Sequence, residues 1–328
     1  MKPGRVQRNF RPSDEQLAQL PNVSGNVING LGEDRSRRPS PIYWHNPATI
    51  PHGRLQAWYQ SQSREAGHEA ARARAYDLSQ EPLPAVDAPL KPVPENWSAG
   101  VKAAALAAGA DQVGIAEINP EWVFEGKEVG FRWIVIMVVP MVYERLSQAP
   151  SSTAAEEVLD KYADGTEMAR ALASWVRDRG REAEAHCGPA AGSLLIIPHA
   201  VAAGIGELGK HGSMINAKHG ANFRLAYVLT DAPVTADAPA AFGADEFCLN
   251  CKVCVEACPP DAIYEIKQTV RGDDKWYVDF DRCVPFFNEN ETCAICLAVC
   301  PWSRPGIAAN LLAKMARRRA LNVPAKPA

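Results

Sequence analysis

The chain has 328 residues, a net charge of −3 and an isoelectric point near 6.2. Its length exceeds that of a typical single domain, so two modules are expected. A weakly acidic balance gives no field that favours nucleic acid or an anionic membrane surface, and we expect neither as a partner. The longest apolar run, Trp133 to Val142, is too short to span a bilayer, so no transmembrane segment is predicted.

Residues 1–94 are predicted to form an extended N-terminal arm followed by a helix. The arm, to about residue 50, is rich in Pro, Asn, Ser and Arg, whereas helix-forming residues predominate from His52 to Gln80. Prolines between positions 82 and 94 predict a connector. The Arg37-Arg38 pair is not followed by the apolar segment of an export signal, so a cytoplasmic location is expected.

Residues 95–238 are predicted to form a core of helices alternating with apolar strands, which indicates an α/β architecture. The strongest strand signal is the Ile- and Val-rich run at 133–139, and the strongest helix signal lies at 152–179. The other predicted elements are a helix from Asn96 to Ala108, a strand from Val113 to Ala116, a short strand from Leu194 to Ile197, a helix starting at Pro198, and a strand from Leu225 to Leu229.

A glycine block at residues 204–212 follows the predicted helix. It contains Gly204, Gly206, Gly209 and Gly212, which indicates that its backbone approaches a neighbouring element or a ligand closely. The first three glycines have the spacing of a dinucleotide fingerprint. Such a fingerprint follows a strand, whereas this block follows a helix, so nucleotide binding is not favoured.

Eight of the nine cysteines lie between positions 248 and 300, in two runs that each end in Cys-Pro. In two-cluster ferredoxins the fourth cysteine of each run ligates the other cluster. We therefore predict one [4Fe–4S] cluster on Cys248, Cys251, Cys254 and Cys300, and a second on Cys283, Cys293, Cys296 and Cys258. Nine residues separate Cys283 from Cys293, whereas two separate the corresponding cysteines of the ferredoxin pattern. Cys283 is thus the one ligand of the eight that departs from that pattern. Disulfides and zinc sites fit this compact pattern less well.

These segments together resemble the reductive dehalogenase family and, more distantly, epoxyqueuosine reductase, over about residues 95–305. Three segments carry the resemblance: Ala107 to Ile115, the glycine block continuing to Arg224 and Thr230-Asp231-Ala232-Pro233, and the paired cysteine runs. The resemblance implies an α+β fold, with a nitroreductase-like cobalamin-binding core at 95–238 and a C-terminal ferredoxin-like two-[4Fe–4S] module at 239–305. A basic amphipathic helix is predicted at 306–328.

The resemblance also implies a reaction, the reductive dehalogenation of an organohalide. Electrons would pass through the clusters to a Co(I) centre from a reduced ferredoxin, a flavodoxin or a reductase. A tyrosine beside a basic residue would donate the proton. The catalytic candidates are Tyr162, Glu167 and Lys210, and the candidates for cofactor contact are Gly204, Gly206, Glu207, Gly209 and His211.

Each of these assignments has a simpler alternative. Tyr162 suits the apolar face of its helix, Glu167 suits a solvated surface, and Lys210 could be an ordinary surface charge. Cys187, outside the two runs, is expected to be a structural thiol. At the level of the whole protein, the alternatives are a reductase of another electrophile, such as an epoxide, and a non-catalytic electron-transfer protein.

Overall fold

The computed structural model describes residues 10–62, 64–80, 83, 85–86, 91–188 and 192–322. Eight strands are present in this part of the chain: β1 (Gln112–Glu117), β2 (Trp133–Pro140), β3 (Ala183–His186), β4 (Glu207–Leu208), β5 (Met214–Ile215), β6 (Phe223–Thr230), β7 (Gln268–Val270) and β8 (Asp273–Lys275). The central sheet has the order β1–β2–β6–β3, and every neighbouring pair is antiparallel. The pairs β4–β5 and β7–β8 form two separate hairpins.

Thirteen α-helices are present in the described residues. They are α1 (Asp14–Leu17), α2 (Gly25–Ile28), α3 (Gly53–Ser61), α4 (Ala66–Gln80), α5 (Trp97–Ala107), α6 (Tyr143–Leu146), α7 (Ser152–Arg177), α8 (Ile196–Ala202), α9 (Ala244–Asn250), α10 (Val253–Ala257), α11 (Phe280–Glu289), α12 (Ile295–Ala298) and α13 (Ala308–Asn322). None of the helices found in these ranges combines the length and apolar character needed to cross a bilayer.

Strand β2 lies at the centre of the core and is covered on both faces. Its residues from Ile134 to Val139 are at most 1% exposed. One face of the sheet packs against α5 and α7, and the other packs against α8 and the segment around Val123. Because successive side chains of a strand point to opposite faces, a strand buried on both sides must be apolar throughout, as β2 is.

The prediction of a mixed core of helices and strands is confirmed, and the antiparallel sheet makes it α+β. Two details predicted from the sequence are wrong. Ile196 and Ile197 form the first turn of α8 instead of a strand, while Leu194 makes only an isolated bridge to Val123. The single helix predicted from His52 to Gln80 is divided into α3 and α4.

The N-terminal arm packs against α11, which carries one of the predicted cluster ligands. The side chain of Gln16 is buried and donates to the Pro285 carbonyl at 3.0 Å. Asn26 accepts from the Phe280 N–H at 2.8 Å, and Gly25 lies so close to Phe280 that a Cβ would be 2.1 Å from its ring. The arm therefore supports the cysteine-bearing segment. The domain boundary at residue 94 stays a prediction, since several connector residues lie outside the described ranges.

The C-terminal helix α13 has one packed side and one charged side. Met315 is 1% exposed and packs against Gly243, where a Cβ would lie 2.9 Å from the Met315 Cβ. On the polar side, Arg318 and Arg319 pair with Glu246 at 3.1 and 3.6 Å. The helix therefore covers the start of α9, the first helix of the cysteine-bearing region.

Candidate functional site

The first predicted set of cluster ligands surrounds one pocket. Cys248, Cys251, Cys254 and Cys300 all line it. Burial raises the pKa of Cys248 to about 11 and the pKa of Cys254 and Cys300 to about 12. Because metals bind the thiolate, thiols in this environment need a nearby positive charge to ionise, and cluster iron supplies one.

Three polar side chains in the same pocket lack a hydrogen-bond partner among the described residues. They are the Lys210 ammonium, the His211 Nε2 and the Trp302 Nε1, all in buried side chains. The Lys210 backbone N–H also donates to the Cys248 sulfur at 3.5 Å. Buried polar groups are nearly always paired, so three unpaired nitrogens around four thiols fit a sulfur-rich group that accepts from all three.

The second predicted set is also brought together. Besides burial, the neighbouring Cys293 and Cys258 raise the pKa of Cys283 to about 12. Burial together with Cys293, Cys283, Cys254 and Cys258 raises the pKa of Cys296 well above its usual value. Cys283 therefore lies with the other three, as its assignment requires. Cys254 belongs to the first set, and it packs in one cluster with Cys258, Cys283 and Cys296 of the second, so the two sets are adjacent.

The long separation of Cys283 from Cys293 has a structural cause. Cys283 lies in α11, whose N-terminus is capped by Asp279, and the helix continues to Glu289. The chain then returns through Glu291, Thr292, Cys293 and Ala294, which all have positive φ angles between 43° and 65°. The part of α11 that follows Cys283 thus takes the place of the tight loop of the ferredoxin pattern. The left-handed turn after the helix then brings Cys293 back beside Cys283.

The glycine block forms the hairpin of β4 and β5, and its glycines approach other parts of the protein. A Cβ on Gly204 would lie 2.6 Å from the Ala238 carbonyl oxygen, and one on Gly206 would lie 2.3 Å from the Ile215 oxygen. At Gly209, a Cβ would be 2.7 Å from the His211 ring. Protein packing therefore accounts for these three glycines. His211, another member of the predicted cofactor-binding set, lines the cysteine pocket and thus lies beside the predicted cluster ligands.

Glu207, in the same hairpin, holds the start of α9. One of its carboxylate oxygens accepts from the backbone N–H groups of Phe242, Gly243 and Ala244 at 3.2, 2.9 and 2.6 Å. Helix α9 ends with Cys248 in its last turn. Because the first N–H groups of a helix have no partners within it, an external carboxylate there stabilises the helix and positions this ligand.

Tyr162 lies on α7, facing β6. The Arg224 guanidinium carbon is 5.7 Å from the centre of its ring, and the Arg224 Nε is buried without a partner in the described part of the chain. Arg224 was part of the motif that carried the resemblance, but its position beside Tyr162 could not be predicted, because the two are brought together only by the packing of α7 on the sheet. Lys210 is placed elsewhere, over the Trp276 ring at 4.9 Å.

Glu167 lies at the surface between α7 and α4. Its side chain is 54% exposed and pairs with Arg74 at 2.8 Å. This placement favours the simpler alternative, a solvated carboxylate. Cys187 packs over Gly165 of α7, where a Cβ would be 2.7 Å from its sulfur, and burial raises the pKa of its thiol to about 11. The structure thus gives Cys187 a packing contact, as expected for a structural thiol.

Comparison with known proteins supports the assignment of the cysteine region. The family described as "4Fe-4S dicluster domain" matches residues 247–303. The tetrachloroethene reductive dehalogenase of Dehalobacter restrictus is 35% identical over 211 residues, which cover 60% of this chain and 37% of that protein. The epoxyqueuosine reductase of Synechococcus sp. is 26% identical over 258 residues, covering 65% of this chain and 77% of that one.

The fold agrees with these similarities. The catabolic reductive dehalogenase NpRdhA, solved in complex with 3-bromo-4-hydroxybenzoic acid, matches 93% of this chain and 49% of its own with a TM-score of 0.68 at 20% identity. The chain thus spans between about a third and a half of the length of these dehalogenases. The resemblance to reductive dehalogenases, with epoxyqueuosine reductase as a more distant relative, is thereby confirmed.

Proposed function

We propose that this chain is a corrinoid- and iron–sulfur-dependent reductase that removes halide from an organohalide. The observation that carries the proposal is the contact between Tyr162 and Arg224 in a fold that also joins two cysteine sets to its core. The net reaction consumes two electrons and one proton, replaces a carbon–halogen bond by a carbon–hydrogen bond and releases halide. A proton donor and an electron path are therefore the two features that the chain must supply.

The cysteine sets support the electron path. Each offers four sulfurs to one [4Fe–4S] cluster, and the two sets are neighbours through Cys254 and Cys296. The first set lies against the glycine block of the core, since Lys210 and Cys248 are in contact. Electrons from a ferredoxin, a flavodoxin or a reductase would therefore enter at the second set and leave toward the core from the first.

The arrangement of Tyr162 and Arg224 supports proton donation. A guanidinium beside a phenol stabilises the phenolate that remains when the proton has left, because the two groups carry opposite charges. The unpaired Arg224 Nε provides a further donor for a ligand or for the phenolate oxygen. A cobalamin, when bound, supplies the low-potential electrons that cleave the carbon–halogen bond. We assign Tyr162 and Arg224 to the side of the cobalamin site where the substrate would bind.

Halide release by reconstituted protein tests the proposal. The protein is loaded anaerobically with iron, sulfide and cobalamin, and chloride or bromide is measured with tetrachloroethene and 3-bromo-4-hydroxybenzoate as probes. Loss of the phenol in Tyr162→Phe is expected to lower the rate by about 10²- to 10⁴-fold, the usual contribution of a positioned acid. Arg224→Met is expected to lower the rate in the same direction, with the iron content unchanged in both variants.

Arg132→Met provides a matched control for Arg224→Met. Arg132 also lies over an aromatic ring, that of Trp133 at 4.7 Å, but its side chain is 66% exposed. Arg132→Met should therefore leave the rate of halide release unchanged. Full activity in Tyr162→Phe would refute the assignment of the proton donor. A protein that binds iron but no cobalt would indicate an electron carrier, and turnover of epoxides without halide release would indicate the second kind of reductase.

A further inference from the structure

Lys210 is among the largest fully buried side chains of the protein, at 1% exposure. Its ammonium has no hydrogen-bond partner in the described ranges and no carboxylate paired with it. The one contact of the ammonium that the structure shows is with the face of the Trp276 ring, at 4.9 Å. An unpaired buried ammonium is strongly unfavourable, so a negative group is expected to face it.

The pocket that Lys210 lines is bounded by four cysteines and two further unpaired donors. The His211 Nδ1 accepts from the Ser213 N–H at 3.2 Å. The ring therefore carries its proton on Nε2, the unpaired atom. Trp302 contributes an indole N–H. Lys210, His211 and Trp302 all line the pocket of the four cysteines, so each brings an unpaired donor to the group that the cysteines hold.

A cluster held by four thiolates is such an acceptor. The four ligands contribute four negative charges, which exceed the positive charge of the iron–sulfide core, and reduction adds one more. A fixed cation therefore stabilises the reduced cluster more than the oxidised one, and N–H donors to sulfur act in the same direction. At the second cysteine set the arrangement differs, because the buried Arg64 is paired with Glu291, two residues before Cys293, at 3.5 Å.

We propose that Lys210 is a positioning residue for electron transfer, which raises the reduction potential of the cluster held by Cys248, Cys251, Cys254 and Cys300. The unpaired ammonium makes this cluster the more favourable resting place for an electron. Electrons that enter at the second set are thereby drawn toward the core. The inference rests on the iron–sulfur part of the proposed function and is independent of the substrate and of cobalamin.

A redox titration monitored by electron paramagnetic resonance tests this role. In Lys210→Met, the ratio of reduced to oxidised cluster at a fixed potential is expected to fall about tenfold for one of the two clusters, a shift of about 59 mV for one electron. Lys210→Arg keeps the charge and should restore most of the potential. The other cluster should titrate as in the unmodified protein, and iron and acid-labile sulfide should be unchanged.

Lys267→Met is the matched control. Lys267 lies over the same Trp276 ring at 5.5 Å, but it is paired with Asp245 at 2.8 Å and is 33% exposed. Its removal should shift neither potential. An unchanged potential in Lys210→Met, or an equal shift in Lys267→Met, would overturn the proposal. Loss of half of the iron in both Lys210→Met and Lys210→Gln would also overturn the proposal, because Lys210 would then be required for assembly of the cluster. A shifted potential in a protein without dehalogenase activity would support the proposal and refute the proposed function.

Discussion

The three hydrogen bonds accepted by Glu207 predict a large and specific loss of stability in Glu207→Ala. The substitution leaves the N–H groups of Phe242, Gly243 and Ala244 without their carboxylate. A hydrogen bond to a charged group contributes about 1.5–3 kcal/mol, and three bonds that share one oxygen contribute less than their sum. We therefore expect the free energy of unfolding to fall by about 4 kcal/mol. Glu207→Gln keeps an oxygen acceptor and should lose only about 1 kcal/mol.

Anaerobic urea unfolding followed by circular dichroism measures this difference. With a slope of about 3 kcal/mol per molar urea, the midpoint of Glu207→Ala should lie roughly 1.3 M below that of the unmodified protein. Glu246→Gln is the matched control, because Glu246 pairs with Arg318, whose side chain is 51% exposed, and such surface pairs contribute less than about 1 kcal/mol. Equal midpoints for Glu207→Ala and Glu207→Gln would refute the reasoning.

Two further predictions concern the arm and the core. Gln16→Ala removes the bond to the Pro285 carbonyl, so the arm should be cut faster by a protease under native conditions, and an unchanged cleavage rate would contradict its packing on α11. His199 accepts from the Asn119 N–H through Nε2 and donates to the Leu195 carbonyl through Nδ1, and burial lowers its pKa from 6.5, although the bond to Leu195 opposes the shift. Below pH 6.5 the ring of His199 takes up a proton more readily in the unfolded chain than in the folded protein. The free energy of unfolding is therefore highest above pH 6.5 and falls as the pH drops below it, by at most about 1.4 kcal/mol per pH unit. In His199→Gln the stability should decline less steeply between pH 6.5 and 5, and an equal slope in thermal unfolding would contradict this.

The elements predicted best from the sequence are those whose pattern reflects their own burial. The run at 133–139 is apolar because both faces of β2 are covered, and the long helix at 152–179 shows the period of a buried face along α7. The break between α3 and α4 is not visible in the sequence, because Gln62, Arg64 and Glu65 have good helix propensity, whereas in the structure the backbone of Gln62 is extended at the end of α3. The strand predicted at Leu194 to Ile197 failed because a short apolar run does not distinguish a strand from a buried first helical turn.

The two cysteine sets are proposed from ligand spacing, which is a property of the sequence, and the structure brings the cysteines of each set together. The pairing of Tyr162 with Arg224 has no such signal in the sequence. The two residues are 62 positions apart, on a helix and on a strand that pack face to face. Lys210 was assigned to the tyrosine because it lies in the glycine block that carried the resemblance. In the structure Lys210 lines the cysteine pocket instead, with its ammonium over the Trp276 ring. The chemistry of a side chain can be deduced from the sequence, whereas the direction in which it points depends on the fold.

The contacts of the glycine block show why Gly204, Gly206 and Gly209 leave no room for a side chain. Gly206 and Gly209 allow a tight hairpin in which Glu207 faces the start of α9 and Lys210 and His211 face the cysteine pocket. Four consecutive positions, 207–210, thus include one that holds the helix bearing Cys248 and one that contacts its sulfur directly. The hairpin joins the core to the cysteine-bearing region. A motif with the glycine spacing of a nucleotide-binding loop therefore serves here as a contact between two parts of one protein.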